Sequence, residues 1–245
     1  SMVTAFTRVN GVIMSPKDTP RSRSRREATQ EEILHTAWAQ IGELGAPSLS
    51  LRGIAQAMGL TAPALYRYFP SRDELVTAMI IEAYESLGHA LEASIQMMAA
   101  EDHARRYLAV GLAYREWALA RPERFALIFG TPIPGYHAPL ERTLPAAARA
   151  LGVLMAVLQA AWEAGRLQRA PILGASLQGQ MQAWKDAHAL SAHPVVLYLT
   201  LISWARVHGL TTLELHRHIP PQVADPLEVY LNDLHGLRSE IGLSI

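Results

Sequence analysis

The residues best equipped for chemistry crowd into one stretch, LSLRGIAQAMGLTAPALYRYFPSRDEL, running from Leu49 to Leu75. Arg52 carries a guanidinium fork that matches guanine O6 and N7 in a major groove; its plain alternative is a surface arginine. Thr61 and the backbone N–H groups of Ala62 and Ala64 open a helix, where amides and the helix dipole receive phosphate. Ala62, Pro63 and Ala64 form the outward tip of that helix and offer no side-chain hydrogen bond. Direct base readout is therefore expected to be sparse: contact to thymine methyls, with Arg52 and Tyr66 supplying the polar contacts. Most affinity should then come from phosphates and fall steeply with salt.

Two short helices must hold these groups. Ser50 caps the first, whose Leu51, Ile54, Ala55 and Met58 repeat at spacings of three and four. Gly59 sits where a left-handed residue ends a helix at least cost. Thr61 caps the second, predicted over Pro63 to Tyr68, with Pro63 in the first turn and Leu65 and Phe69 turned inward. Pro70 stops it, and Ser71 with Asp73 and Glu74 starts another. Two helices joined by a glycine-containing turn make a helix-turn-helix, whose second helix fits the DNA major groove.

The run GIAQAMGLTAPALYRYFPSRDELV resembles the signature of the tetracycline-repressor family of bacterial transcription regulators, over roughly residues 28–80. FGTPIPGY at 129–136 and W-x-x-x-H-G at 204–209 are similar to a C-terminal domain class found in some of these regulators. The resemblance implies that Arg52 reaches a base, and that Tyr66 and Tyr68 touch the sugar-phosphate backbone, although Tyr68 also reads as core. Arg72 matches a position usually occupied by a phosphate-binding lysine. The resemblance further implies a homodimer, with the last two helices of each subunit forming a four-helix interface, and a C-terminal ligand pocket.

The chain of 245 residues has 22 basic and 22 acidic side chains, so global charge gives no support to a polyanionic partner. Local charge does: Arg21, Arg23, Arg25 and Arg26 crowd the approach to the first helix, either as a solvated tail or as an arm on DNA. Half the residues are hydrophobic and β-branched residues form no alternating runs, which predicts an all-α fold. With no cysteine there is no disulfide frame and no thiolate metal site, as in a reducing cytoplasm. No signal peptide is expected, and the longest apolar run, Val195 to Ala205, is shorter than the ~20 residues of a membrane span.

Residues 1–20 read as a disordered tail and 21–70 as the DNA-binding domain. A connecting helix over 71–98 is the natural lever of a switch, and 99–245 is the ligand-binding and dimerisation domain. The first helix is expected over Thr29 to Leu44, with Thr29 and Glu32 as a capping box and Ile33, Leu34, Ala37, Trp38, Ile41 and Leu44 inward. The connector should bury Leu75, Met79, Ala83, Leu87, Leu91 and Ile95. Further helices are expected over Asp102 to Ala120, Pro122 to Gly130, Leu140 to Gly165 and 172–190. Ser191 should cap another that bends or ends at Gly209 and restarts at Thr211 or Thr212. The last begins at Asp225-Pro226 and carries Leu227, Tyr230, Leu231, Leu234 and Leu237. GTPIPGYHAP is a fixed loop.

Trp117, Phe125, Phe129, Met155, Trp162, Trp184, Trp204 and His208 are spread over the C-terminal helices. Each alone reads as core; together they are the candidate lining of a mostly apolar pocket. Stripes near Val195–Arg206 and Leu227–Leu237 are the candidate dimer surface, or else internal core. Two alternatives compete with the small-molecule regulator. His208, His216 and His218 with Glu214 raise metal or pH sensing, or an enzyme. However, i and i+2 on a helix point apart, and neither H-E-x-x-H nor G-x-S-x-G occurs. The reading is a DNA-binding regulator without cofactor or membrane partner, most simply a homodimeric repressor on double-stranded DNA released by a small apolar effector.

Overall fold

The computed structural model describes the backbone of residues 20–243 and side chains from Ser24 onward. The expected tail lies outside this range except at Pro20. Every regular element among the described residues is helical. They divide into two compact units, one ending at Val76 and the other beginning at Thr77.

The first unit contains α1 (Pro20–Leu44), a 3-10 turn (Ala46–Ser48), α2 (Leu51–Ala57), α3 (Ala62–Tyr66) and the first turn of α4 (Arg72–Ile95). Its core is Ile33, Ala37, Trp38, Ile41, Leu51, Ile54, Leu65 and Phe69, all buried. Two expectations about α1 are corrected. The helix begins at Pro20, so the backbone of Arg21 to Arg26 is helical and is no arm ahead of the first helix. Thr29 is therefore interior to the helix, and its Oγ1 donates back to the Arg25 carbonyl at 2.9 Å. The cause is local: neither Gly nor Pro interrupts the chain from Arg21 to Ile41. Leu44, expected inward, is 61% exposed because α1 ends there, at Gly45 with φ +79°.

The second unit takes the remainder of α4, then α5 (His103–Ala120), α6 (Pro122–Phe129), α7 (Leu140–Glu163), α8 (Ala175–Ala187), α9 (Pro194–Leu215) and α10 (Pro226–Glu240). α4 stops at Ile95, short of the expected Met98. The caps follow the sequence closely at α5, where Asp102 accepts from Arg105 N–H, and at α10, where Asp225 accepts from Leu227 N–H. Gly130 is required by close approach: a Cβ there would lie 2.4 Å from the Ala126 carbonyl oxygen.

α9 corrects the reading twice. Its cap is His193, whose Nδ1 accepts from Val195 N–H at 3.2 Å, in place of Ser191. It also runs unbroken through Gly209. A helical glycine costs about 1 kcal/mol, which burial of Val207 and the packing of Leu210 against the core on either side offset. α7 is long and apolar enough to cross a membrane by length and composition. It nevertheless packs on α5 and α9, burying Val153, Leu154, Val157 and Leu158 in the shared core.

Candidate functional site

Two features of the molecule have functional geometry, one in each unit. In the first unit, Ser50 builds the start of α2. Its Oγ accepts from Gly53 N–H at 3.3 Å, while its own N–H donates to Gln40 Oε1 of α1 at 2.8 Å. Burial of Leu51, Ile54 and Ala55 then leaves Arg52 and Gln56 facing solvent. Gly59, with φ +65°, makes the turn in the left-handed region. Thr61 Oγ1 accepts from Ala64 N–H at 3.4 Å, which fixes the start of α3. This spends the Ala64 amide, one of two proposed for phosphate, and leaves the Ala62 N–H without a partner among the described residues.

α3 is shorter than the sequence implied, closing at Tyr66, and its anchor Leu65 is fully buried. Thr61, Pro63, Tyr66 and Arg67 are exposed, whereas Ala62, Ala64 and Tyr68 are half-buried. Arg67 was not among the sequence candidates, although its place next to Tyr66 puts a cation on the same exposed turn. Arg72 is half-buried and largely engaged. Its Nε donates to Leu49 O at 3.0 Å, and its Nη2 to Pro47 O at 3.1 Å and Ala46 O at 3.4 Å. The guanidinium thus pins the segment leading into α2, and Nη1 is what it has left for an outside partner.

In the second unit a cavity of about 580 Å³ lies among α4, α5, α7, α8 and α9. Of the sequence candidates, Phe129, Met155, Trp184 and Trp204 line it. Trp117, Phe125, Trp162 and His208 do not. Trp117 is buried and donates its indole N–H to Ser86 Oγ at 3.1 Å. Trp162 stacks on His193 at 4.4 Å. Phe125 stacks on His208 at 5.4 Å, with Phe129 edge-on to the same imidazole at 5.0 Å. His208 stands one layer behind the wall, its Nδ1 2.7 Å from the Tyr114 hydroxyl.

The tyrosines of the wall, Tyr84, Tyr107 and Tyr114, escaped the sequence reading. They fall in otherwise apolar stripes of α4 and α5, where a phenol differs from a core aromatic only by its need for a partner. Tyr107 donates to Ser203 Oγ at 3.1 Å. Burial pushes its phenol up to about 12. Burial likewise raises Tyr114, against an opposing contribution from the Trp204 indole. Burial lowers His208, whose Nδ1 shares a hydrogen bond with the Tyr114 hydroxyl. Leu140, Glu141 and Leu144 of α7 are exposed and form part of the cavity's rim.

Of the candidate metal or catalytic residues, His216 and His218 are exposed with ring centroids 5.9 Å apart. His216 Nδ1 lies 2.9 Å from Thr212 O. Glu214 is held by Arg115, whose Nε donates to Oε2 at 2.7 Å. Both candidate dimer stripes are part core and part outward: Tyr230, Leu234 and Leu237 of α10 are internal core while Leu227 and Leu231 stay half-buried, and α9 buries Val196, Leu197 and Leu199 while Leu201 is exposed.

Comparison with known proteins gives matches along most of the chain. The model of bacterial regulatory proteins of the tetR family matches residues 33–79, and that of the tetracyclin repressor-like C-terminal domain matches residues 107–234. The HTH-type transcriptional regulator Rv1816 of Mycobacterium tuberculosis is 30% identical over 195 residues, spanning 79% of this chain and 83% of the relative. A counterpart in Mycobacterium bovis matches equally. The crystal structure of the regulatory protein SCO4313 superposes with a TM-score of 0.76 at 33% identity, covering 90% of this chain and all of that one. A protein from Rhodococcus sp. RHA1 shares the fold, with a TM-score of 0.68 at 22% identity over 88% of this chain and 95% of that one.

Proposed function

The chain belongs to the tetR family of bacterial regulatory proteins and is a DNA-binding transcriptional regulator; from that premise we propose that it is a cytoplasmic homodimeric repressor of a palindromic operator, released by a small, largely apolar effector. The observation that carries this reading is the exposed edge of α2 and α3, where Arg52, Thr61, Pro63, Tyr66 and Arg67 face solvent above a buried Leu65. α3 enters the major groove. Arg52 donates its fork to a base, and Pro63 with the Ala62 and Ala64 methyls touches thymine. Thr61, the Ala62 amide, Tyr66 and Tyr68 hold the backbone. Arg72 acts first on its own chain, by positioning the start of α2, and reaches phosphate only through Nη1.

Dimerisation uses the outward face of α9. Tyr198, Leu201, Ile202 and Ala205 recur there at helical spacing and are exposed or half-buried. A helix apolar all round is ordinarily covered on all sides, and a second copy would cover this one. The effector occupies the α4–α9 cavity, whose volume and lining suit a drug-sized apolar molecule. It meets Tyr84, Leu87 and Leu91 of α4, the helix whose first turn belongs to the DNA-binding unit. Preference for one arrangement of α4 then shifts the population away from the operator-bound state, by a coupling of typically 1–3 kcal/mol.

In vitro transcription tests the reading. With a selected binding site placed over a promoter, the protein should lower transcript yield and an apolar ligand of the cavity should restore it. Activation at that site, or repression that no cavity ligand relieves, would overturn the repressor or the effector part respectively.

A further inference from the structure

The cavity wall carries a donor for which the structure provides no acceptor. Tyr107 and Ser203 both line the cavity and are 1% and 2% exposed, with the phenol donating to Ser203 Oγ. No acceptor for the Ser203 O–H itself is present among the described residues. Helical serines and threonines commonly donate to the carbonyl four residues back. Thr200 does so, to Val196 O at 2.8 Å, whereas Ser203 does not. Tyr114, the other deep phenol, is already engaged with His208 Nδ1, and the remaining wall donors, Tyr84 and Trp184, are only half-buried, so Ser203 is the fully buried one left unpaired.

The charge pattern is equally specific. Neither Lys nor Arg lines the cavity. Glu141 and His188 do, but both are exposed at the rim, and Glu141 lies in the first turn of α7, where a carboxylate complements the helix dipole. An anion reaching Ser203 would shed its water without meeting a cation, and a cation there would lie among apolar side chains with no buried carboxylate. Either carries a desolvation penalty that the cavity does not offset.

We infer that the effector is an uncharged, predominantly apolar molecule whose one essential polar atom is an acceptor oxygen, received by the Ser203 hydroxyl that Tyr107 orients. This rests on the reading of the cavity as the effector site. A wall built to hydrogen-bond an oxygen discriminates against the analogue lacking it, because the donor is then left unpaired.

Four probes on one scaffold test this with the full-length chain: benzophenone, diphenylmethane, diphenylacetate and benzhydryltrimethylammonium, titrated calorimetrically. Benzophenone should bind about tenfold more tightly than diphenylmethane and than either ion. In Ser203→Ala the advantage of benzophenone over diphenylmethane should shrink to less than about threefold. Tyr107→Phe, which keeps the ring, should reduce the same ratio, and circular dichroism checks that both variants fold. An ion that binds as tightly as benzophenone, or an advantage that survives Ser203→Ala, overturns the inference while leaving the cavity as a ligand site. A winning cation would identify Trp184 and Trp204 as a cation–π cage. Failure of all four probes to bind overturns the cavity reading, and this inference with it.

Discussion

Replacing Glu214 by Gln probes the joint that holds the cavity together. Arg115 of α5 and Glu214 of α9 form a two-pronged ion pair whose side chains are 12% and 16% exposed. The guanidinium also lies 5.8 Å from the centroid of the Tyr230 ring on α10. α5 brings Tyr107 and Tyr114 to the cavity and α9 brings Ser203 and Trp204, so this pair fixes the spacing of two walls. Glu214→Gln keeps the shape and removes the charge, which leaves Arg115 buried without its counter-ion. Breaking a buried pair from one side costs about 3–5 kcal/mol; because some water reaches this one, about 3 kcal/mol is expected. For a unit of this size each kcal/mol shifts Tm by about 2–4 °C, so the second unit should melt roughly 6–12 °C lower. Scanning calorimetry reads this directly. The double variant Arg115→Met with Glu214→Leu should return to within about 1 kcal/mol of the parent, since apolar groups of similar volume replace a buried pair at little cost. A shift under about 2 °C for Glu214→Gln, or a double variant as unstable as the single, would refute this energetic role for the pair.

Arg52→Ala should weaken binding by about 1–3 kcal/mol and relax preference at one position per half-site; a loss uniform over all sequences would make Arg52 a backbone contact. Arg72→Ala should lower the urea stability of the first unit by about 2 kcal/mol, three half-exposed carbonyl bonds being lost, and Arg72→Lys should recover less than half because it lacks the fork. Unchanged stability in both would assign Arg72 to phosphate alone. His208 titrates below its ordinary value of 6.5 because burial disfavours the charged ring. The unfolded chain therefore takes up the proton first, so this stabilisation is present above about pH 7 and is lost as pH falls through 6.5 toward the folded value. The melting temperature of the second unit should fall less between about pH 8 and pH 5.5 in His208→Gln than in the parent; parallel falls would contradict the assignment.

The DNA-binding unit was legible because its signals are local. Ser50, Gly59, Thr61 and Pro63 each fix their own backbone within a few residues, and each takes the place its chemistry dictates. Where several local signals competed, the sequence misled. Thr29 with Glu32 mimics a capping box, but nothing upstream stops the helix and the motif lies inside it. Gly209 with Thr211 mimics a break, yet buried neighbours carry α9 through. The cavity was half legible for a different reason. Periodicity places Trp117, Phe125 and Met155 on inward faces, but only the packing of α5 against α7 and α9 decides whether an inward side chain meets another side chain or a void. Arg72 shows the same limit: its charge was plain in the sequence, and the carbonyls of residues 46, 47 and 49 that take up its donors were not.

Selection of bound sequences from random duplex DNA tests the central claim most directly, that α3 enters a major groove and that two copies do so together. The account predicts enrichment of an inverted repeat whose half-site centres lie about one helical turn, roughly 34 Å, or a multiple of that apart, with enrichment abolished when Pro63 and Tyr66 are replaced by Glu. Recovery of no common sequence, or of a single unrepeated half-site by a monomer, would contradict it.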